Sequence, residues 1–170
     1  MVGSFSYLYL TTTKNTRMLI EESLNALEKV LPSFEQKQEG ISAVNVGWHI
    51  DHSLKVINRV SNALKESNPK NYKGTLSFVK FYIFLTGNIP KGKVKAPKHV
   101  VENGFISKES IEKQLNIAKQ NLQEIKNLPA KSHFSHPVFG MLPLKKGQRF
   151  MAIHTNHHLK IINQIIESNN

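Results

Sequence analysis

Apolar residues recur every three to four positions in four long stretches of the chain, and this spacing is typical of amphipathic helices. The predicted helices cover residues 16–30, 42–65, 107–128 and 145–167. Ser42 and Ser107 are suitable N-cap residues for the second and third helices, and Pro32 and Pro129 follow the first and third. Alternation with a period of two is nowhere sustained, so the pattern predicts an all-α fold.

The same repeat predicts which side chains face the core. In the second helix they are Val44, Trp48, His52, Val56, Val60 and Ala63. In the third helix they are Ile111, Leu115, Ala118, Leu122 and Ile125. In the fourth helix they are Phe150, Met151, His154, His158, Ile161 and Ile165. Histidines are therefore expected among apolar side chains on two inner faces.

Residues 67–106 form a long connection between the second and third helices, whereas the other links are short. An apolar run at residues 76–85 predicts a short helix within this connection. One long crossover among short links is typical of a four-helix bundle, and we expect the up-down-up-down order, with antiparallel neighbours. A length of 170 residues fits a single domain over residues 1–170.

The formal net charge of +11 raises the question of a nucleic-acid partner. Arginine, which is best suited to reading bases and phosphates, occurs only at Arg17, Arg59 and Arg149, and this scarcity argues against specific DNA recognition. The one local concentration of charge comprises Lys91, Lys93, Lys95 and Lys98. It is interpreted either as a solvated loop or as a rim that attracts a small anionic substrate to a pocket.

Cysteine is absent, which excludes disulfides, catalysis by a protein thiolate and cysteine-based zinc sites. Any metal must therefore be held by His, Asp or Glu. The opening residues lack the basic and apolar regions of a signal peptide, and no stretch reaches the roughly 18 apolar residues of a membrane span. The sequence thus indicates a cytoplasmic protein with no membrane partner.

His154 and His158 lie one turn apart on the inner face of the fourth predicted helix. His52 is expected to point inward from the second helix, which can face the fourth across the core. Because neutral imidazole is a common ligand of divalent transition metals, these three residues are the candidate metal ligands. Three protein ligands leave a position open, as in catalytic sites. The alternative is a set of core histidines satisfied by hydrogen bonds.

Other polar side chains near this set have weaker assignments. His49 and His157 could replace a ligand, support one from behind, or lie at the surface. His136, in the loop before the fourth helix, is either a turn residue or a proton donor or acceptor that lines a pocket, and it is the one candidate for a catalytic side chain. Asp51 is expected to be a surface charge or a lysine partner. Nucleophile elbows, phosphate loops and zincin motifs are absent from the sequence, so any chemistry would depend on the metal.

The pattern Trp48-x-x-x-His52 followed by His154-x-x-x-His158 resembles the DinB/YfiT-like superfamily of metal-dependent enzymes. Residues 136–140, His-Pro-Val-Phe-Gly, are similar to a signature of one branch of unknown function. The resemblance covers the second to fourth predicted helices. It implies a four-helix bundle with a long crossover, and a divalent ion such as Zn, Ni or Fe on His52, His154 and His158. Because superfamily members include thiol-dependent S-transferases and isomerases, it also implies a low-molecular-weight thiol as a candidate cosubstrate.

Two functions from different classes are compatible with these features. The first is a metal-dependent enzyme of the thiol S-transferase or hydrolase type, acting on a small anionic molecule, with a homodimer as one candidate assembly. The second is a non-catalytic basic module that binds nucleic acid or an acidic partner. A metal position open to a cleft favours the first function, and a buried or metal-free cluster favours the second.

Overall fold

The structure is a computed structural model that describes residues 19–74, 78–89 and 106–169. These residues form five α-helices and a two-stranded antiparallel sheet. The helices are α1 (Ile20–Lys29), α2 (Val46–Glu66), α3 (Phe78–Thr86), α4 (Lys108–Glu124) and α5 (Leu144–Ser168). The strands are β1 (His133–His136) and β2 (Gly140–Pro143). The described part of the chain is mostly helical, as the sequence predicts.

The start of α2 differs from the prediction. Asn45, not Ser42, is its N-cap, and the Asn45 side chain accepts a hydrogen bond from the Trp48 N–H at 2.9 Å. The reason is a backbone hydrogen bond at the start of the helix: the Val46 N–H donates to the carbonyl of Gln36 at 2.9 Å. This hydrogen bond keeps residues 42–45 outside α2. Ser107 is the N-cap of α4, as predicted, and accepts from the Ser110 N–H at 3.1 Å.

The strands β1 and β2 form a hairpin that the sequence analysis did not predict. Phe134 pairs with Leu142 in the register, and both side chains are buried. Gly140 has a φ of +64°, a conformation that glycine adopts without strain, and it lies where the turn enters β2. Each strand has only four residues, too few for a sustained alternation of apolar and polar positions to be recognised.

Hydrogen bonds and ion pairs between side chains give the relative directions of the four long helices. Contacts between α2 and α4 join Asp51 to Gln114, Asn58 to Asn121, and Lys65 to Glu124. Between α1 and α4 the contact joins Glu28 to Lys119, and Glu21 is paired with Lys126 in the turn that follows α4. Contacts between α2 and α5 join His49 to His158 and Ser61 to Met151. Residue numbers rise together only in the first pair of helices, so α2 and α4 are parallel and the other two pairs are antiparallel.

The expected up-down-up-down order therefore needs correction, because α1, α2, α4 and α5 follow the order up-down-down-up. The physical reason lies in the long connection between α2 and α4. A helix of 21 residues such as α2 is about 32 Å long, and a connection of some forty residues easily returns the chain to the end where α2 began. The long crossover thus joins parallel neighbours, whereas short links can only join antiparallel ones.

The core contains side chains from all four long helices and from the hairpin. The inner face of the third predicted helix is confirmed, since all five of its predicted residues are buried, four in α4 and Ile125 directly after it. In α2 the buried stripe is different from the predicted one and consists of Val46, Ile50, Leu54, Ile57, Val60 and Leu64. Trp48 and His52 are half-buried at its edge. The aliphatic side chains of α2 face the core, because burying them removes the most apolar surface from water and leaves no polar ring buried without a hydrogen-bond partner.

The connecting segments bear on two further expectations. Helix α3, Phe78–Thr86, confirms the short helix expected in the long connection. The lysine cluster at positions 91, 93, 95 and 98 lies outside the described residues. Among the helices that the structure describes, none combines the length and the apolar character required to cross a membrane.

Candidate metal centre

Three histidines from two helices meet at the edge of the core. His52 is on α2, and His154 and His158 are one turn apart on α5, which packs against α2 in the antiparallel direction. Each offers one ring nitrogen, and these three nitrogens all lie within 4.8 Å of one another. The structure therefore confirms that the three residues predicted from the sequence come together.

The spacing of the three rings suits a single ion after a small adjustment. Points no more than 4.8 Å apart all lie within about 2.8 Å (4.8/√3) of one common point. Zinc–nitrogen bonds are about 2.0–2.1 Å, so each ring would move inward by less than about 1 Å. In addition, Nδ1 of His154 is buried and has no hydrogen-bond partner within the described residues. A buried nitrogen without a partner is costly, and a bound ion is one way to remove that cost.

The environment keeps these rings neutral, which is the state that binds metal. The pKa of His52 is lowered to about 4, mainly by burial; the charge of Asp51 opposes this shift, and Lys55 and Arg59 contribute to it. Burial lowers the pKa of His154 to about 3, with His52 adding to the effect. Burial also lowers the pKa of His158 strongly, and His154 reinforces the shift. At neutral pH all three lone pairs are therefore available without competition from protons.

His49 lies directly behind the group of three. Its Nδ1 is 2.9 Å from Nδ1 of His158, and its Nε2 is 3.0 Å from Oγ of Ser42. The ring is buried, and burial lowers its pKa to about 4. Among the described residues His49 does not join the group of candidate ligands. Because His49 is one turn before His52, the sequence predicted that it lies near the candidate ligands. The sequence did not predict its contact with His158.

Trp48 forms one wall of the site. Its ring stacks on the ring of His52, with a centroid distance of 4.9 Å and an interplanar angle of 6°. It also meets the rings of His49 and His158 edge-on, at 5.3 and 6.2 Å. Trp48 was expected mainly as a core residue, yet it is only half-buried. Its contacts restrict the orientation of His52, and as the single tryptophan of the chain it can report on this site.

His157 and His136 occupy different positions around the site. His157 lies beside His158 with a ring-centroid distance of 5.4 Å, but it is not in the group of three. His136 ends β1, and its Nδ1 accepts hydrogen bonds from the N–H groups of Val138 and Phe139 at 3.1 and 3.3 Å. His136 is therefore a turn residue, the first of its two predicted interpretations.

The aromatic surroundings of His136 link it to the histidine group. Its ring stacks on Phe139 at 4.2 Å and meets Phe150 edge-on at 4.8 Å. Phe150 in turn lies 5.8 Å from the ring of His154. Burial lowers the pKa of His136 to about 4. Because Nδ1 is used in the turn, Nε2 is the nitrogen left for a role in a pocket, and that role remains a hypothesis.

Asp51 has a structural partner. It is buried and forms an ion pair with Lys55 at 3.0 Å, and its other oxygen accepts a hydrogen bond from Gln114 at 2.6 Å. The expectation of a lysine partner is confirmed, whereas the alternative of a surface charge is wrong, because α4 covers this side of α2. Both carboxylate oxygens are engaged between α2 and α4, so Asp51 is poorly placed to act as a base.

Comparison of the chain with models of protein families, with curated proteins and with solved structures gives no match.

Proposed function

We propose that this chain binds a divalent transition metal through His52, His154 and His158, and that it is a metal-dependent enzyme with a DinB/YfiT-like four-helix bundle. The observation that carries the proposal is the meeting of three neutral imidazoles, from two helices, within 4.8 Å. One buried histidine on an apolar face is usually satisfied by a hydrogen bond. Three whose ring nitrogens lie this close together, one of the residues having an unpartnered buried nitrogen, fit a metal ion better.

The choice of a catalytic rather than a structural site rests on ligand number and position. Three protein ligands leave at least one coordination position open. His52 and His154 are half-buried and His158 is buried, so the group lies at the edge of the core rather than at its centre. When bound, Zn, Ni or Fe would supply Lewis acidity that lowers the pKa of a water or thiol ligand. His52, His154 and His158 would hold the ion, and Trp48 and Phe150 would exclude water from two sides.

The charge of the site favours anionic ligands. Within the described residues no carboxylate belongs to the group, so three neutral histidines would leave the full double charge of the ion uncompensated. The chain as a whole carries +11. Both features attract a small anion such as a thiolate or carboxylate. A low-molecular-weight thiol is therefore our proposed cosubstrate, in a transferase or hydrolase reaction.

The test is metal analysis of protein purified without a histidine tag. We expect about one divalent ion per chain in the wild type, and its complete loss in His154→Ala and His158→Ala, since two ligands alone hold such ions weakly. His157→Ala is the matched control and should retain the ion. Full metal content in His158→Ala would show that the ligands are wrongly assigned. Thiol-transfer assays before and after chelation then test the enzymatic part, and full activity of the metal-free protein would refute it.

A further inference from the structure

We propose that His49 is a positioning residue for this site: it accepts a hydrogen bond from Nδ1–H of His158 and so directs Nε2 of His158 toward the ion. This inference rests on the metal site proposed above. Its starting point is the contact between the two Nδ1 atoms, at 2.9 Å, in a buried position. One of these atoms must carry the proton and the other must accept it, because two lone pairs or two N–H groups would repel.

The identity of the donor follows from which nitrogen binds the ion. With Nδ1 of His158 facing His49, Nε2 is the atom left for a ligand bond. A neutral imidazole that gives its Nε2 lone pair to a metal carries its proton on Nδ1. His158 must then donate and His49 must accept. The opposite arrangement places the proton of His158 on Nε2 and closes that nitrogen to the ion.

Ser42 completes the arrangement on the far side of His49. If Nδ1 of His49 accepts, its proton is on Nε2, which lies 3.0 Å from Oγ of Ser42. Oγ can accept this hydrogen bond while it also accepts one from the N–H of Val44 at 3.3 Å. Nδ1–H of His158 then donates to Nδ1 of His49, and Nε2–H of His49 donates to Oγ of Ser42, so both nitrogens of His49 have a partner. Ser42, which is not the N-cap of α2, therefore stabilises the tautomer of His49 that carries its proton on Nε2.

The packing around His49 fixes the ring as well as its tautomer. The residue is only 4% exposed, and Trp48 meets its ring edge-on at 5.3 Å. The carbonyl of His49 accepts a hydrogen bond from Oγ of Ser53 at 2.8 Å. Residues that support a ligand from behind typically change metal affinity by about 10–100-fold when they are replaced. His49, though not a ligand, is expected to have an effect of this size.

The test compares two replacements of His49 using Zn²⁺ alone as the probe. His49→Phe keeps a ring of similar size but removes the acceptor, and we expect it to weaken Zn²⁺ binding about 10–100-fold in competition with a chromophoric chelator. His49→Gln provides an oxygen acceptor and should remain within a few-fold of the wild type. Ser42→Ala should give a smaller loss than His49→Phe. His157→Ala serves as the control outside the series.

A spectroscopic measurement separates positioning from general packing. In the Zn²⁺-loaded wild type we expect the His158 proton on Nδ1, with a scalar coupling between the two Nδ1 nuclei across the hydrogen bond in ¹⁵N NMR. Unchanged Zn²⁺ affinity in His49→Phe, or a His158 proton on Nε2, would overturn this inference and leave the metal site standing. A wild type that binds no Zn²⁺ would overturn both. If His49→Phe does not fold, His49→Gln, Ser42→Ala and the wild-type coupling still decide the question.

Discussion

Five histidines of this protein have pKa values held well below the ordinary value for the side chain. They are His49, His52, His136, His154 and His158. Burial is the largest cause in each, and repulsion from neighbouring protonated histidines adds to it in His49, His154 and His158. These rings are ready for metal at neutral pH, but the same environment makes the metal-free fold sensitive to acid.

The metal-free protein should lose stability as the pH falls from 6.5 to 5. An unfolded histidine takes up a proton near pH 6.5, whereas folded His52 and His136 remain neutral down to about pH 4. In this window the unfolded chain binds more protons, so the free energy of unfolding rises with pH and falls on acidification. The expected slope approaches about 1.4 kcal/mol per pH unit for each such histidine.

Urea titrations at several pH values measure this slope directly. The reference pKa values of Asp and Glu, about 3.9 and 4.3, lie below this window, so histidines dominate the proton uptake of the unfolded chain in it. The matched variant is His136→Gln, which removes one titrating ring outside the metal site and should reduce the slope by about one histidine, or about 1.4 kcal/mol per pH unit. A free energy of unfolding that is constant from pH 6.5 to 5 would contradict the neutral, buried state of these rings.

The candidate ligands could be found from sequence because helical spacing relates them. His154 and His158 are four residues apart, which places them on one face whatever the rest of the chain does. The role of His49 could not be found in this way. His49 and His52 are one turn apart on α2, and only the packing of α2 against α5 decides which ring joins the group and which lies behind it.

Helix α2 carries half of the site, and Gly47 determines how closely it approaches the preceding turn. The Gly47 N–H donates to the carbonyl of Phe34 at 2.9 Å. A Cβ atom at position 47 would be 2.6 Å from Cδ2 of the Phe34 ring, which is itself buried. The absence of a side chain therefore lets the Phe34 ring lie on the first turn of α2, just before His49 and His52.

Replacing Gly47 by alanine should destabilise the protein even though alanine is the better helix former. Inserting a methyl group into a packed site usually costs about 1–3 kcal/mol, and the overlap with the buried Phe34 ring places this substitution toward the upper end, above the roughly 1 kcal/mol gained in helix propensity. Gly147→Ala on α5 is the control, because its added Cβ would lie 3.4 Å from Leu64, close to ordinary contact. Chemical denaturation should show a lower midpoint for Gly47→Ala alone, and equal midpoints would refute this account of the α2 start.

The elements of this fold differ in how far local sequence determines them. The repeat of the third predicted helix determines its own inner face, since all five of its predicted residues are buried. In α5 the agreement is partial, because His154 and Ile161 are only half-buried. The start of α2 depends on the backbone hydrogen bond between Val46 and Gln36, and no local sequence pattern predicts this hydrogen bond. The hairpin is equally non-local, because its short strands are stabilised by burying Phe134 and Leu142 against the helices. Tertiary contacts decide both features, so the sequence repeat alone could not predict them.

The direction of the helices is a property of the whole chain. Local periodicity is the same whether a helix runs up or down, and only the length of a connection limits the choice. A long connection between α2 and α4 permits either direction, and the interlocking contacts from Asp51–Gln114 to Lys65–Glu124 select the parallel one. The short link after α4 then makes α5 antiparallel to α4 and to α2. In this arrangement His158 contacts His49, and His154 lies near His52.

An ion held by His52 on α2 and by two histidines on α5 would bridge the two helices and should stabilise the entire fold. Binding to the folded state alone at 100 times Kd adds about 2.7 kcal/mol, and for a chain of this size that corresponds to a rise in Tm of roughly 5–10 °C. Thermal unfolding of the metal-free protein, with and without Zn²⁺, measures this rise. Mg²⁺ at the same concentration should have little effect, because it prefers oxygen ligands. His154→Ala should lose the Zn²⁺-dependent increment, and an equal rise in that variant would place the ion elsewhere on the protein.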